Sequence, residues 1–540
     1  MYFIKREEHT MSSTKELLIK IKDAAYNGAL PVNDIPIDDI KEAVLAEYTN
    51  NANNTTAYQT HLAELQDTIM SIDNTEKNLN NILLFLDSMI NHMIYLENYD
   101  NLYNKSSLPD NIEPDDEYQY YLNLADYYSA FSSKQCCLCL ENAYYHCKDT
   151  ITKSLLFNKM NTYRKEHDIH INKISIIIVS YNNCYITQQC IYSIRKYCYS
   201  GSYEIIVVDN ASTDGVTEWL EQQQDIKLIK SSCNLGFPKG CNVGIANSDK
   251  NNDIFLLNND TRLTPNALFW LRMGLYESEN TGAAGAVSNY AALLQYINLF
   301  YGSIDDYQRF GFVNNIFKDN PFESCTFLSG FAMLIKQSAL NKTTLLDEEL
   351  SPGYYDDDDI SFQLLNKGFL LKVCHNSFIY HAGSQSFNQI NSDKIQLIYQ
   401  KNREYLTDKW GFSPDSVRVN TGLPDYIKSS DPDTLINIME LNAHNGTNYG
   451  HLKYVHSNIN YIGLEQNSAY LKCSINGSNI IHADYFNFDY SVYAGSIDYI
   501  IISQYNIFTD TEKDLLHTIL QPVLKPTGQI LSIIDQPDNN

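Results

Sequence analysis

The sequence predicts an α/β protein with a helical N-terminal region, a central doubly wound sheet and a smaller second α/β domain at the C-terminus. Three observations predict it. Apolar residues recur at helical spacing up to about residue 168. From Lys173 the period changes to short, nearly continuous apolar runs that alternate with helical stretches, the pattern of a buried parallel sheet. After a Pro/Asp/Ser-rich stretch, Ser413 to Asp433, a second set of such runs begins.

Residues 1–168 form the helical region. Ile40 to Tyr48, Leu62 to Met70 and Leu79 to Leu96 carry the helical period, and Pro109 and Pro114 mark a linker. Tyr118 to Cys147 reads as two helices joined at Ser132-Ser133, and residues 118–147 resemble one tetratricopeptide-type hairpin. A single such unit does not make a solenoid.

Residues 169–412 form the central domain, with strands expected at Ile174 to Val179, Tyr203 to Val208, Ile226 to Ile229 and Ile254 to Leu257. In a doubly wound sheet the ligand sits beyond the carboxyl ends of the strands. Polar clusters fall there: Ser180-Tyr181-Asn182, Asp209 to Ser212, and Asn258-Asn259-Asp260. Residues 413–433 read as a linker. Residues 434–540 hold the second domain, with strands at Leu435 to Glu440, Tyr461 to Leu464, Ile480 to His482, Ile497 to Ser503 and Gln529 to Ile534.

Bulk properties narrow the function. A chain of 540 residues fits three or four domains. The formal net charge of −26 argues against a nucleic-acid partner. The sequence contains no apolar run long enough to span a bilayer. Met1 to Thr10 is mixed and charged, unlike a signal peptide. Twelve scattered cysteines fit reduced thiols in a cytoplasmic protein better than a disulfide framework. Cys136, Cys137, Cys139 and Cys147 lack a clean Cys-x-x-Cys pair, so packing on the hairpin is expected rather than zinc.

The strand-end clusters carry the chemistry. Val179-Ser180-Tyr181-Asn182 and Val208-Asp209-Asn210-Ala211-Ser212-Thr213-Asp214 end the first two strands. Asn234-Leu235-Gly236-Phe237-Pro238-Lys239-Gly240-Cys241-Asn242 follows, then Leu256-Leu257-Asn258-Asn259-Asp260-Thr261 and Leu328-Ser329-Gly330-Phe331-Ala332-Met333. Asp347-Glu348, Gly353-Tyr354-Tyr355-Asp356-Asp357-Asp358-Asp359-Ile360 and His381-Ala382-Gly383-Ser384 complete the series. Lys401-Asn402-Arg403 and Lys409-Trp410-Gly411 come after it.

In this order the motifs resemble family 2 glycosyltransferases of the GT-A fold, and the third is similar to the signature of rhamnosyltransferase-like members. The resemblance implies that Ser180, Tyr181, Asn182, Asp209 and Asn210 cradle the nucleotide, with Asp209 at the base-contacting position. It implies a donor edge of Gly236, Phe237, Gly240 and Asn242, with Asn258, Asn259 and Gly330 beside the donor sugar. Asn258 stands at the first acidic position of the Asp-x-Asp site, which leaves Asp260 with His381 as the implied ligands of Mg²⁺ or Mn²⁺. Asp357 falls at the catalytic-base position and Asp356 at the preceding acidic one. Adjacent aspartates repel one another, which leaves Asp359 open as an alternative base.

Residues 434–540 resemble a class I methyltransferase core, a smaller Rossmann-like domain. Where that family carries a three-glycine loop, this chain has Asn442, His444 and Gly446. Side chains at two of the three positions would crowd S-adenosylmethionine, so the domain is expected to be degenerate and not to bind it. Glu465 stands where an acidic residue would hold ribose, Asp484 follows the third strand, and Pro526-Thr527-Gly528 marks the last turn.

The implied activity is metal-dependent, inverting transfer of a sugar from a UDP- or dTDP-linked donor to a hydroxyl of a glycan, lipid-linked or protein acceptor. A lipid-linked acceptor would bring peripheral membrane association. The sequence leaves donor, acceptor and oligomeric state open. Two competing readings are a bifunctional glycosyltransferase and methyltransferase, and a non-catalytic sugar-binding scaffold.

Overall fold

In a computed structural model the structure describes residues 11–26, 31, 35–50, 85–86, 89–90, 117–299, 301, 303–383, 392–428 and 434–534. The chain divides into two compact units. The first, residues 1–115 with 298–314, contains the helices Met11–Tyr26, Ile37–Asn50 and Ile304–Asn314. Its described core includes Leu18, Ile35, Ile40, Val44, Leu86 and Met89. The expected helix at Leu62 to Met70 lies outside the described residues. Of Leu79 to Leu96 only residues 85–86 and 89–90 are described, and they are helical.

The second unit, residues 116–297 with 315–540, begins with the helical hairpin Glu117–Ser129 and Ser133–His146. Ser132 caps the second helix by accepting the Gln135 N–H, which is why the chain turns there. A third helix, Thr150–Glu166, follows, with Asp149 as its cap. Arg164 and Arg272 both pair with Glu141 and tie the hairpin to the helix Ala267–Leu275 of the central domain. Burial opposes ionisation of Glu141, and the two guanidiniums overcome it and hold the carboxyl below its usual range. The four hairpin cysteines are buried and free, as packing side chains.

The central sheet has eight strands in the order β3-β2-β1-β4-β8-β6-β9-β7. Its expected half is β1 (Ile174–Ser180), β2 (Tyr203–Asp209), β3 (Ile226–Lys230) and β4 (Asp253–Leu257), all parallel. The other half is mixed. In it β8 (Ala332–Ile335) runs antiparallel to both β4 and β6 (Thr281–Val287). Beyond them β9 (Leu370–Phe378) is parallel to β6, and β7 (Phe322–Cys325) closes the edge antiparallel to β9. Below the sheet edge, β5 (Thr261–Arg262) pairs with β10 (Tyr380–His381) and sets His381 opposite Thr261. That pairing joins two segments far apart in the chain at the carboxyl end of β4.

The C-terminal domain is a five-stranded sheet, β13-β12-β11-β14-β15, with every neighbouring pair parallel. Its strands are β11 (Ile436–Leu441), β12 (Ile459–Glu465), β13 (Ile480–His482), β14 (Ile497–Ile502) and β15 (Leu524–Ser532). Edge strand β7 of the central sheet is covered by this domain's helix Thr447–Val455, so its open side is shielded. A Cβ on Gly450 of that helix would lie 2.0 Å from the Ser324 carbonyl oxygen. Contact this close is open to glycine alone. The segment expected as a linker is packed rather than loose over its described part. Val417 and Leu423 are fully buried, because these two apolar side chains outweigh the polar turn residues around them.

Candidate active site

The site is built from strand ends inward. Ser180, at the end of β1, bonds through its hydroxyl to Thr187 (3.1 Å), and Asn259 donates to the same Thr187 (3.0 Å). Asn182, with φ of 57°, exchanges hydrogen bonds with Ser212 and Thr213 across the two strand ends. Tyr181 is partly exposed beside it. Asp209 is buried, and its two oxygens accept from Ser212 N–H (3.1 Å) and the Thr217 hydroxyl (2.5 Å). Asn210 donates to the Gly236 carbonyl (3.1 Å) and leaves its own buried Oδ1 without a hydrogen-bond partner.

Gly236 has φ of 77°, and a Cβ there would meet the Pro352 Cα at 2.9 Å. Phe237 N–H donates to the Pro352 carbonyl (2.9 Å), which ties this glycine-bearing segment to the loop before the acidic run. Gly240 packs on Val179, where a Cβ would stand 2.9 Å from a methyl carbon. Asn242 brackets Leu346 by donating to its carbonyl (2.8 Å) and accepting its N–H (3.2 Å). The sequence motif thus sets the loop that precedes the aspartates.

At the end of β4, Asn258 N–H donates to the Phe331 carbonyl (2.9 Å), and its buried Oδ1 has no hydrogen-bond partner. Asp260 Oδ1 lies 3.1 Å from His381 Nε2, with both side chains nearly buried. His381 Nδ1 lies 2.7 Å from the Tyr290 carbonyl, an acceptor only. Nδ1 therefore carries a proton. With Nε2 also protonated, His381 and Asp260 form an ion pair at 3.1 Å; with Nε2 bare, the two could share a cation. Phe331 stacks on the His381 ring (5.1 Å, 12°) and fixes its plane. Among the described residues no cluster of three or more metal-ligating acids, thiols and imidazoles occurs. Any ion here has two side chains of that kind, and the Asn258 amide nitrogen lies 3.5 Å from His381 Nε2.

The four aspartates occupy the first turn of the helix Asp356–Asn366, where the helix dipole favours negative charge. Tyr354 and Tyr355 take positive φ (72° and 65°) to start it, and Asn402 holds that loop by donating to the carbonyls of Leu350 and Gly353 (both 2.9 Å). The four carboxylates then part ways. Asp358 pairs with Arg418 (2.8 Å). Asp359 is fully buried and accepts from Trp410 Nε1 (2.9 Å), Gln363 (2.7 Å) and Lys409 (2.9 Å). Asp356 is buried, and burial and then the Asp357 charge push its carboxyl well up. Asp357 keeps partial exposure and accepts the Gly330 N–H (3.1 Å). Burial, followed by repulsion from Asp358, raises it to about 6.

Asp357, Asp356, Asn258, His381, Gly330 and Phe237 all line one open cleft of about 1210 Å³. Ser180, Tyr181, Asn182, Asp209, Asn210, Gly236, Gly240, Asn242, Asn259, Asp260 and Asp359 do not line it, so of the Asp260–His381 pair only His381 does. Asp359, the alternative base, has its oxygens taken by buried donors and stands away from the cleft. Arg418, Tyr290, Phe327 and Asp415 also line it and were not singled out in the sequence. Arg418 lay in the presumed linker, where nothing distinguishes it from a solvated residue.

In the C-terminal domain Asn442 and His444 keep the left-handed backbone (φ 55° and 49°) that glycine would serve. Asn442 instead bonds to the Ser503 carbonyl and the Tyr485 hydroxyl, and His444 lies against Tyr470 at 4.7 Å. Glu465 spends its oxygens on the backbone N–H groups of His444 (2.9 Å) and Asn467 (2.8 Å).

The central domain thus combines a half-parallel α/β sheet with polar strand ends, a glycine-bearing edge, the Asp260–His381 pair and a cleft faced by His381 and the raised Asp357. The family model for glycosyl transferase family 2 matches residues 175–343. These residues are similar to that family's transferase domain. No curated protein matches it. Similar solved structures include the mannosyltransferase PcManGT from Pyrobaculum calidifontis with GDP-Man and Mn²⁺, at 16% identity and TM-score 0.30, covering 39% of this chain and 57% of that one. GalNAc-T7 with UDP, GalNAc and Mn²⁺ is 12% identical at TM-score 0.33, covering 39% and 44%. S. aureus TarS 1–349 is 15% identical at TM-score 0.30, covering 47% and 75%. The chain thus spans only about half the length of the first two, 57% and 44%. Among the described residues no helix is long and apolar enough to cross a membrane.

Proposed function

We propose that the chain is an inverting glycosyltransferase that moves a sugar from a nucleoside-diphosphate donor, UDP- or dTDP-linked, to an acceptor hydroxyl. The observation that carries this reading is that Asp357 and His381, the partner of Asp260, face one cleft. Asp357 takes the proton of the acceptor hydroxyl as its oxygen forms a bond to the anomeric carbon. The bond from that carbon to the diphosphate oxygen breaks, and its electron pair leaves with the nucleoside diphosphate. A carboxyl held near 6 is ionised at neutral pH yet basic enough to help. Gly330 N–H orients its oxygen, and Arg418 keeps Asp358 from competing for the proton.

The residues present fit a divalent cation. Asp260 and His381 Nε2 would hold Mg²⁺ or Mn²⁺, beside the Asn258 amide, whose nitrogen lies 3.5 Å from Nε2 and whose buried oxygen has no hydrogen-bond partner. Such an ion would neutralise the departing diphosphate. Gly236, Gly240 and Asn210 shape the donor edge, and the unpartnered Asn210 Oδ1 supports a donor contact there.

The test is nucleoside diphosphate release from a panel of UDP-, dTDP- and GDP-sugars with Mn²⁺ or Mg²⁺. Release from one donor, lost with chelator and in Asp260→Ala, is expected. Release that survives both would remove the metal from the reading. No release and no donor-induced thermal stabilisation would favour the sugar-binding scaffold.

A further inference from the structure

The cleft is larger than its donor needs. Drug-sized ligands fill about 300–1,000 Å³, whereas this cleft measures about 1210 Å³ and leaves out the strand ends expected to hold the nucleotide. Its extra wall is one face of the helix Ser392–Trp410, where Gln396, Tyr399, Gln400 and Arg403 recur at helical spacing and all line it. Tyr399 is 38% exposed and stacks on Tyr354 (4.2 Å, 30°), three residues before Asp357. Burial, then Tyr354 and the Asp357 charge, push the Tyr399 hydroxyl up to about 12, so it stays protonated and can donate.

Away from the Asp260–His381 pair, where a cation would meet the donor diphosphate, the charges in the cleft disfavour an anionic acceptor. Asp356, Asp357, Asp358 and Asp415 face only two guanidiniums there. Arg418 pairs with Asp358 (2.8 Å) and Arg403 with Asp415 (3.7 Å). A phosphate or uronate on the acceptor would meet net negative charge even with Asp356 neutral, since Asp357, Asp358 and Asp415 face two guanidiniums that are already paired. A pyranose ring instead offers a C–H face to a tyrosine ring, and its hydroxyls suit glutamine amides.

We propose that the Tyr399–Tyr354 wall is an acceptor subsite for a neutral oligosaccharide of at least two rings, whose end hydroxyl reaches Asp357. The inference rests on the glycosyltransferase reading and names its acceptor class. Gln396 and Gln400 serve as hydroxyl readers along the same helix face.

Saturation-transfer NMR on the full chain tests it without donor turnover. The probes are maltotriose, cellotriose, mannotriose, triacetylchitotriose and, as the anionic control, trigalacturonate. At least one neutral trisaccharide is expected to receive saturation on its ring C–H protons, and trigalacturonate none. Tyr399→Ala should weaken that binding about tenfold while Tyr399→Phe, which keeps the ring, largely retains it. No transfer to any neutral probe, transfer to trigalacturonate alone, or equal binding by Tyr399→Ala would each overturn the proposal. The donor-release assay separates the two claims. Release without trisaccharide binding removes the subsite and keeps the enzyme. Trisaccharide binding lost in Tyr399→Ala, without release from any donor, keeps the subsite and removes the enzyme.

Discussion

Replacing Asp357 by asparagine should stop transfer and at the same time stabilise the fold. The carboxyl is raised from 3.8 to about 6, by burial first and the Asp358 charge second. The folded state therefore holds a proton more tightly than the unfolded chain. The sign follows: the folded state bears no penalty below 3.8, and stability is lost as pH rises from there through about 6. The shift corresponds to about 3 kcal/mol at neutral pH, and about 1–3 kcal/mol once its coupling to Asp356 and Asp358 is allowed for. Asp357→Asn removes that penalty and should raise Tm by several degrees. It should also cut kcat/KM by roughly 10²–10⁴-fold. In the unmodified enzyme kcat/KM should have an acid limb at about 6, so that at pH 5 about one tenth of the molecules carry an ionised base. Arg418→Gln, which removes a cation that holds this value down, should move the limb to higher pH. The assay is donor-dependent nucleoside diphosphate release from pH 4.5 to 8, beside differential scanning calorimetry of the variants. An acid limb near pH 4, or an Asp357→Asn variant less stable than its parent, would refute the reasoning.

Glu323 of β7 is buried and bonds to His375 (2.6 Å) and to His451 (2.7 Å) of the C-terminal domain. Burial opposes its charge, but the two imidazoles hold it below its usual value, and its carboxylate in turn raises His451 against the effect of burial. The His451 contribution is complete below 6.5 and lost as pH rises through the raised value, and that of Glu323 is complete above 4.5 and lost on acidification. Thermal stability should thus peak between those values and fall toward pH 8, and Glu323→Gln should flatten the profile; a parent profile already flat would sink this. Gly450→Ala drives a Cβ into the Ser324 carbonyl and should cost more than about 3 kcal/mol or separate the domain, read as new protease cleavage near residue 430. S-adenosylmethionine should give no heat in titration calorimetry, because Glu465 and Asn442 are already engaged; micromolar binding would restore the bifunctional reading.

What could be read from the sequence tracks how strongly each element is buried. β1, β2 and β4 are continuous apolar runs with both faces covered, so their positions and the polar clusters at their ends were legible. β6 reads Thr-Gly-Ala-Ala-Gly-Ala-Val and β7 Phe-Glu-Ser-Cys, with neither a strong apolar run nor clean alternation. Small residues suit β6 because Gln295 and Leu328 press on Gly285, a tertiary fact with no local trace. The Asp260–His381 pair was legible only through motif order, since the β5–β10 bridge that forms it joins distant segments. The wall at Tyr399 was not legible at all: Gln, Tyr and Arg on a helix look like a solvated face until the opposite side of the cleft is in place. Arg418 and Val417 were hidden by polar neighbours that signal a loop.

The acidic run makes sense only when its surroundings are counted with it. Four carboxylates in one helical turn cannot all stay ionised without cations. Lys409 and Trp410 take Asp359, and Arg418 takes Asp358. Asp356 is buried and pushed toward the neutral form. One aspartate is left partly exposed, with a raised proton affinity and a cleft before it. The residues that produce this sorting lie between Lys409 and Arg418, and that stretch is itself seated against the C-terminal domain, where Ser416 meets Tyr470 (2.7 Å) and Phe412 stacks on the same ring (4.4 Å). The C-terminal domain therefore bears on the proposed base through this contact, whatever its own loop binds. It packs against the segment that carries Lys409 and Arg418, the two cations that engage Asp359 and Asp358 and leave Asp357 as the proposed base.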